Sequence, residues 1–427
     1  MRTPRIALSH PRCQIIVMNQ AHFDIAAGPR WRRVELILIL GALTAFGAVS
    51  IDMYLPAMPT IARDFRVPPE QVAHTLASFF LGFSIGQAFL GPIADRFGRK
   101  PPLYAGITVY IAACIACAAA HSVGFLIIAR LVQALAACAG GVIARACVRD
   151  LFTSEEMPHV FAAMMLVLGV APMLAPFLGG YMLIWFGWRA IFWTQGGFGA
   201  LVLAAVFFRL RESHGGSHRT LHPFAVLRDY GRLLRDRRFI GYVLAASMSN
   251  AGMFAYVAAS PHVFIDLFHV PAQNFGWFFG ANAVGLITAA QLPARLLRRY
   301  DGAQLLLAVQ CAQATAGLML LAVAWSGGGL WSVAPMLFIF VSLNGAVMPT
   351  ASALAMRHFA LNAGMASALM GTMQFGAGVV VATILAELPA SNAVPMAAVI
   401  AGCGAAALLC RLLLAPPRNP SVSMRQG

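Results

Sequence analysis

The sequence predicts an all-α polytopic membrane protein with twelve transmembrane helices arranged as two six-helix halves. Three observations carry that prediction. Hydrophobic residues make up 60% of the 427 positions and charged residues only 11%, with a mean hydropathy of +0.75; a soluble domain carries about a quarter charged residues. The apolar residues gather into twelve stretches of about 20, the length of helix that crosses a bilayer. Lys and Arg sit almost wholly at one set of stretch ends, which is how polytopic proteins fix their orientation.

In chain order, residues 1–33 are basic and broken by Pro4, Pro11 and Pro29, with no apolar run leading to a small-residue cleavage site. They read as a cytoplasmic tail and not as a signal peptide, and Met1 and Met18 both fit as its start. The first half, 34–209, is expected to hold helices at 34–57, 72–94, 102–121, 123–145, 158–182 and 188–209. A polar linker, 210–238, follows; Phe224, Leu227, Tyr230 and Leu234 recur in it at helical spacing among arginines, which predicts a helix lying on the inner leaflet. The second half, 239–415, is expected to hold helices at 239–262, 273–295, 303–325, 330–353, 363–386 and 393–415, before a tail at 416–427.

Of the 30 Lys and Arg residues, only Arg63, Arg66 and Arg189 fall at the opposite set of ends, and Arg130 falls inside a helix. Both termini are therefore expected in the cytoplasm. The net charge of +15 then reflects topology and not a nucleic-acid surface. Cys114, Cys117, Cys138, Cys147, Cys311, Cys403 and Cys410 lie in or beside apolar stretches and read as small core residues, so neither a metal nor a disulfide framework is expected. The sole lysine, Lys100, lies between Arg99 and Pro101 and cannot belong to a phosphate-binding loop. No cofactor and no ATP site are expected, so uphill transport would draw on an ion gradient.

The two halves echo each other. Phe65, Arg66, Val67 and Pro68 follow the first helix, and Phe268, His269, Val270 and Pro271 follow the seventh, about 200 residues on, as a six-plus-six duplication requires.

Asp52 is the one carboxylate deep in a span, a placement that costs roughly 2.5 to 3.5 kcal/mol at a helix centre and is usually retained for function. It shares a small-residue face with Gly41, Ala45 and Ala48. Counting from the expected ends puts Asp52 about 9 Å deep and Arg130 about 12 Å deep, on the same side. The two are expected to pair, with a proton-coupled switch arising as the pair forms and separates. The competing reading has Asp52 capping a helix end ahead of Pro56 while Arg130 snorkels outward.

Gly91 to Lys100, GPIADRFGRK, predicts a tight basic turn. Gly91 is expected to permit close helix approach and Gly98 the turn itself, while Asp95, at a helix C-terminus, needs compensation from Arg96, Arg99 or the start of the eleventh helix near Asn362. The run resembles the signature between the second and third helices of the major facilitator superfamily, and the resemblance implies its fold and a gating role for Gly91, Asp95, Arg96, Gly98 and Arg99. Arg130, Leu131, Val132 and Gln133 resemble its fourth-helix motif, in which an arginine is tied to proton transfer; Ala134 departs from the usual glycine. Gly169 to Gly180, with Pro172, Pro176, Gly179 and Gly180, resembles the fifth-helix motif of the drug/proton antiporter branch. Ile51 to Pro59, Val148 to Phe152 and Gly187 to Phe192 together resemble the Bcr/CflA-type multidrug exporters.

That resemblance implies a proton-coupled exporter of drugs or other lipophilic compounds in the bacterial inner membrane, acting as a monomer. An exporter of a metabolite such as an amino acid or sugar is the alternative; a membrane enzyme would need more intramembrane ionisable residues. Candidate substrate contacts are Tyr54, Gln133, Asn250, Asn344 and Gln374. As uncharged polar residues within spans, Asn250, Asn282, Gln291, Asn344 and Gln374 either bind substrate or link helices.

Overall fold

The computed structural model describes residues 30–415 except 154, 211, 214–222, 298, 358–362 and 390. The expected N-terminal tail up to residue 29, the C-terminal tail, Arg211, Arg219, Arg298 and Asn362 lie outside the described residues. All regular structure among those described is helical. The first half comprises α1 (Arg30–Asp52), a single tight turn at Leu55–Ala57, α2 (Met58–Phe65), α3 (Pro69–Phe97), α4 (Lys100–Ala118), α5 (Val123–Leu151), α6 (Met157–Phe186) and α7 (Trp188–Arg209). After the linker helix α8 (Pro223–Arg235) come α9 (Arg237–Pro261), which widens into one loose turn at His262–Leu267, α10 (Ala272–Ala290), α11 (Leu292–Leu296), α12 (Gly302–Trp325), α13 (Leu330–Met356), α14 (Ala363–Glu387) and α15 (Val394–Leu414).

Eleven of the crossings are long and apolar enough to span a membrane, the first being a single broken run from Trp31 to Phe65. The remaining expected crossing, the eighth, is α10, which carries Gln273, Asn274 and Asn282 among its apolar residues. Large side chains such as Trp325, Trp331 and Phe208 are about four-fifths exposed, as lipid-facing groups must be.

Several expected boundaries shift for identifiable reasons. The eighth helix stops at Ala290 and not at 295, because Pro293 has no N–H and its ring opposes the carbonyl four residues before it. The fourth helix runs on to Leu151, so Arg145 and Arg149 lie on it and not beyond it. The linker helix ends at Arg235, because Asp236 caps α9 by accepting from the Phe239 N–H at 2.8 Å. The largest change is in the first crossing. Pro56 cannot donate, the chain tightens so that Tyr54 N–H bonds Ile51 O at 3.1 Å, and the crossing then resumes as α2.

The internal echo extends to the backbone. Arg66 and His269 both have φ of 54°, and among the described residues they are the only non-glycines with positive φ. Each closes its helix in the left-handed conformation, with the next residue's N–H reaching back to Ala62 O at 3.0 Å or Phe264 O at 2.8 Å, and each is followed by a proline-led helix.

Within the first half, α5 packs on α3, α4 and α1, and α1 packs on α6; within the second, α9 and α12 pack on α13 and α15. The halves meet along two seams, α3 on α14 and α6 on α10. Rings fill the first seam: Phe80 of α3 lies 4.4 Å from Phe254 of α9, and Phe83 of α3 lies 4.4 Å from Phe375 of α14.

A left-handed conformation costs a residue with a Cβ roughly 1–2 kcal/mol, and more if it is β-branched. His269→Val should therefore lower the thermal unfolding midpoint in detergent, while His269→Gly should keep or raise it.

Candidate functional site

The break in the first crossing creates the acceptor around which the first half is built. With Tyr54 N–H turned to Ile51, the Ser50 carbonyl is released from the helix ladder, and the Arg130 guanidinium donates to it at 3.0 Å. The same Nη1 donates to Gln133 Oε1 at 2.7 Å; Gln133 Nε2 donates to Gln195 Oε1 at 2.8 Å and to Cys114 Sγ at 3.0 Å; and Gln195 returns to Val49 O at 3.4 Å. Ser50 Oγ and Tyr110 OH bond at 2.8 Å, and Tyr54 OH and Thr75 Oγ1 at 2.7 Å. Arg130 is wholly buried. Its charge faces the rings of Phe79 at 4.3 Å, Tyr54 at 4.5 Å and Phe192 at 6.0 Å, each a favourable cation–π approach. Nε and Nη2 find no acceptor among the described residues.

The expected pair of Asp52 with Arg130 is not formed; among the described residues neither makes an ion pair with the other. The reason is helical phase. Ser50 and Tyr54, four residues apart, share the face turned to α3, α4 and α5, while Asp52, midway between them, lies about 200° around the helix. Asp52 is buried and turns to the other half, within electrostatic reach of Tyr256 on α9. Tyr256 is itself buried and stacks on Phe279 at 5.5 Å. The expected depth also changes. Because the crossing continues to Phe65, Asp52 lies about 20 Å from its end, near the middle of a hydrocarbon core about 30 Å thick.

The fifth-helix prolines and glycines fall on α6, with Pro172 and Pro176 inside it. A side chain at Gly179 would collide with the Met53 carbonyl beside Asp52, and one at Gly180 would collide with the Ala272 carbonyl of α10. These two glycines thus let α6 touch the broken first crossing and the opposite half at adjacent positions.

At the basic end, Gly98 has φ of 86°, which only glycine adopts readily, and it places Arg99 under the turn. Arg99 is buried; it bonds Asp95 at 2.6 Å and Asp150 of α5 at 2.7 Å. Burial works against the Arg99 charge, but the hydrogen bonds to Asp150 and Asp95 outweigh it and hold the guanidinium above its ordinary value. Glu212 accepts from the Arg99 and Lys100 backbone N–H groups at 2.8 and 2.9 Å, capping α4.

One open expectation is resolved here and one is corrected. Asp95 is compensated by Arg99 within its own turn, while Arg96 lies over the Phe97 ring instead. Gly91 supports no close approach, since a side chain there would meet open space. The residue that reaches the start of α14 is Arg149, whose guanidinium borders Gly364.

The remaining candidate contacts are engaged with protein groups. Tyr54 and Gln133 belong to the Arg130 network, and Asn344 bonds Ser249 Oγ at 2.9 Å and Asn250 Oδ1 at 3.3 Å. Gln374 is half-buried on α14. The aromatic seam, together with Tyr110, Gln195, Ser249, Tyr256 and Gln313, was not singled out from sequence. Gln195 and Gln313 are uncharged polar residues inside apolar runs, a signal already used for Asn250 and Asn344.

A two-half helical bundle spanning a membrane, with a carboxylate at the junction of the halves and polar clusters buried on either side of it, defines a secondary transporter. The chain belongs to the Major Facilitator Superfamily, whose profile matches residues 38–383. It is 35% identical over 368 residues, 86% of this chain and 92% of the other, to a bicyclomycin resistance protein homolog of Haemophilus influenzae. It is also 28% identical, over 90% of its length and 97% of the other's, to multidrug resistance protein D of Escherichia coli. The fold is that of a D-xylose–proton symporter crystal structure, with a TM-score of 0.71 at 14% identity over 91% of this chain and 98% of that one.

Overpacking at a closed contact costs typically 1–3 kcal/mol. Gly179→Val, forced against Met53, should lower the detergent unfolding midpoint, while the same change at Gly91 should leave it unmoved.

Proposed function

We propose that this transporter exports drugs or other small lipophilic compounds from the bacterial cytoplasm in exchange for protons, by alternating access. The observation that carries the reading is Asp52: a buried carboxylate without a counter-ion among the described residues, at the break of the first crossing and on the face turned to the second half. An uncompensated charge at that depth is costly, and taking up a proton removes it. Each change of access alters what packs on that face, and so couples protonation to conformation. The relatives named for bicyclomycin and multidrug resistance support drug export, and bicyclomycin is a reasonable first probe.

Residues able to meet such a compound are the rings of the central seam, Phe80, Phe83, Phe254 and Phe375, with Gln374 beside them on α14. Tyr54, Gln133, Asn250 and Asn344 act behind this surface by holding the helices that carry it. Arg130 serves coupling indirectly, fixing the broken segment through Ser50 so that Asp52 is presented to the seam. The excess of arginine places the basic end in the cytoplasm. There the turn of Asp95, Gly98 and Arg99, braced by Asp150, links α3, α4 and α5 into one unit that moves against α14. At the other end, Gly179 and Gly180, with the prolines before them, let α6 rock on α10.

Asp52→Asn should abolish substrate-driven proton release from energised vesicles while leaving the protein folded and able to bind substrate. Unchanged release would remove Asp52 from the coupling role.

A further inference from the structure

At the end opposite the basic one, the described residues include only three arginines, Arg63, Arg66 and Arg189, and no lysine. Two of the three converge on one cavity. Arg63 and Asp64 from α2, with Thr60, and Trp188 and Arg189 from α7, with Phe186, line a space of about 520 Å³ open to the surface.

Both guanidinium groups are held in place and keep a free donor. Arg189 stacks on the Trp188 ring at 4.2 Å, donates through Nη1 to Asp64 at 3.0 Å and through Nη2 to Ala120 O at 3.3 Å; Trp188 Nε1 shares the same Asp64 oxygen at 2.9 Å. Arg63 donates to Pro59 O at 3.4 Å and to Thr60 Oγ1 at 3.2 Å. Arg189 Nε and Arg63 Nη1 are left without an acceptor among the described residues. Two guanidinium groups against one carboxylate leave the cavity one positive charge, enough for a single phosphodiester.

The flank beside the cavity is aromatic and faces outward. Trp185 and Phe186 are about two-thirds exposed, and Tyr181 and Trp193 about half. Such rings mark the depth of lipid headgroups. A soluble anion would not need this flank, whereas a lipid would lay its glycerol and upper acyl chains along it.

We propose that this cavity binds the phosphodiester headgroup of an anionic phospholipid of the phosphatidylglycerol class, drawn from the leaflet at that end. The lipid clasps α2 to the α6–α7 turn, immediately beyond the broken segment that carries Asp52. The assignment stands whichever compound the transporter moves.

Native mass spectrometry of the detergent-purified protein, titrated with phosphatidylglycerol, tests it. The wild type should retain one lipid tightly. Arg63→Gln should weaken that binding by about tenfold, as expected for one lost charge-assisted contact, while Arg66→Gln, the same charge change at the same end but outside the cavity, should not. Arg189→Lys, which keeps the charge beside Asp64 but loses the planar fork, should weaken it less than Arg63→Gln. Equal loss in Arg63→Gln and Arg66→Gln, or no loss in Arg63→Gln, would overturn the site. Displacement of the lipid by glycerol 1-phosphate at a similar concentration, or equally tight retention of phosphatidylethanolamine, would overturn the anionic-lipid assignment.

Discussion

Arg130 is a full positive charge in the middle of a helical half, and among the described residues no carboxylate meets it. In hydrocarbon an ion has to be compensated by whatever the protein can aim at it, and here that is one backbone carbonyl, one amide and the faces of three rings. The carbonyl is free because the first crossing tightens just before Pro56, where Tyr54 N–H turns to Ile51 O. A proline that cannot donate, a freed Ser50 oxygen and a guanidinium from α5 are thus one device. Its neighbours Gln133, Gln195, Tyr110 and Thr75 extend it across α3, α4, α5 and α7.

The second half has a counterpart without a charge. Ser249, Asn344, Asn250 and Gln313 tie α9, α12 and α13 through amide and hydroxyl groups. Each half is therefore stiffened internally by a polar knot, while between the halves lie mostly rings and small residues, joined at the α3–α14 seam by Ser84 Oγ donating to Thr372 O at 2.8 Å and Thr372 Oγ1 donating to Ser84 O at 3.4 Å. Ring contacts and glycine contacts slide and separate at low cost compared with buried hydrogen bonds. That difference suits two rigid bodies moving about a soft junction.

Much of this was legible in the chain. Twelve apolar stretches fixed the crossings because a bilayer demands about 20 residues each, and the paired runs ending in Val67–Pro68 and Val270–Pro271 foretold turns that share even the sign of φ at Arg66 and His269. Gly98 was read correctly from its place between charged residues. The partner of Asp52 was misread, because equal depth was taken to bring it to Arg130 while its angle was compared only with Gly41, Ala45 and Ala48; the phase of Ser50 and Tyr54 held the answer, and Pro56 marked the break. Gly91 misled because a missing side chain says that closeness is allowed and not that anything is close. The aromatic seam was beyond reach, since Phe80 and Phe375 are brought together only by the docking of the two halves.

Tyr230 on α8 donates to Ala88 O of α3 at 2.9 Å, and with Leu233 it packs among Phe239 of α9 and Leu369 and Met370 of α14. The connection is thus a strap laid over the junction and not a slack tether. When that side parts, the strap has to leave one half and travel with the other, so the linker works as a third moving component whose grip sets how readily the mouth at the basic end can open.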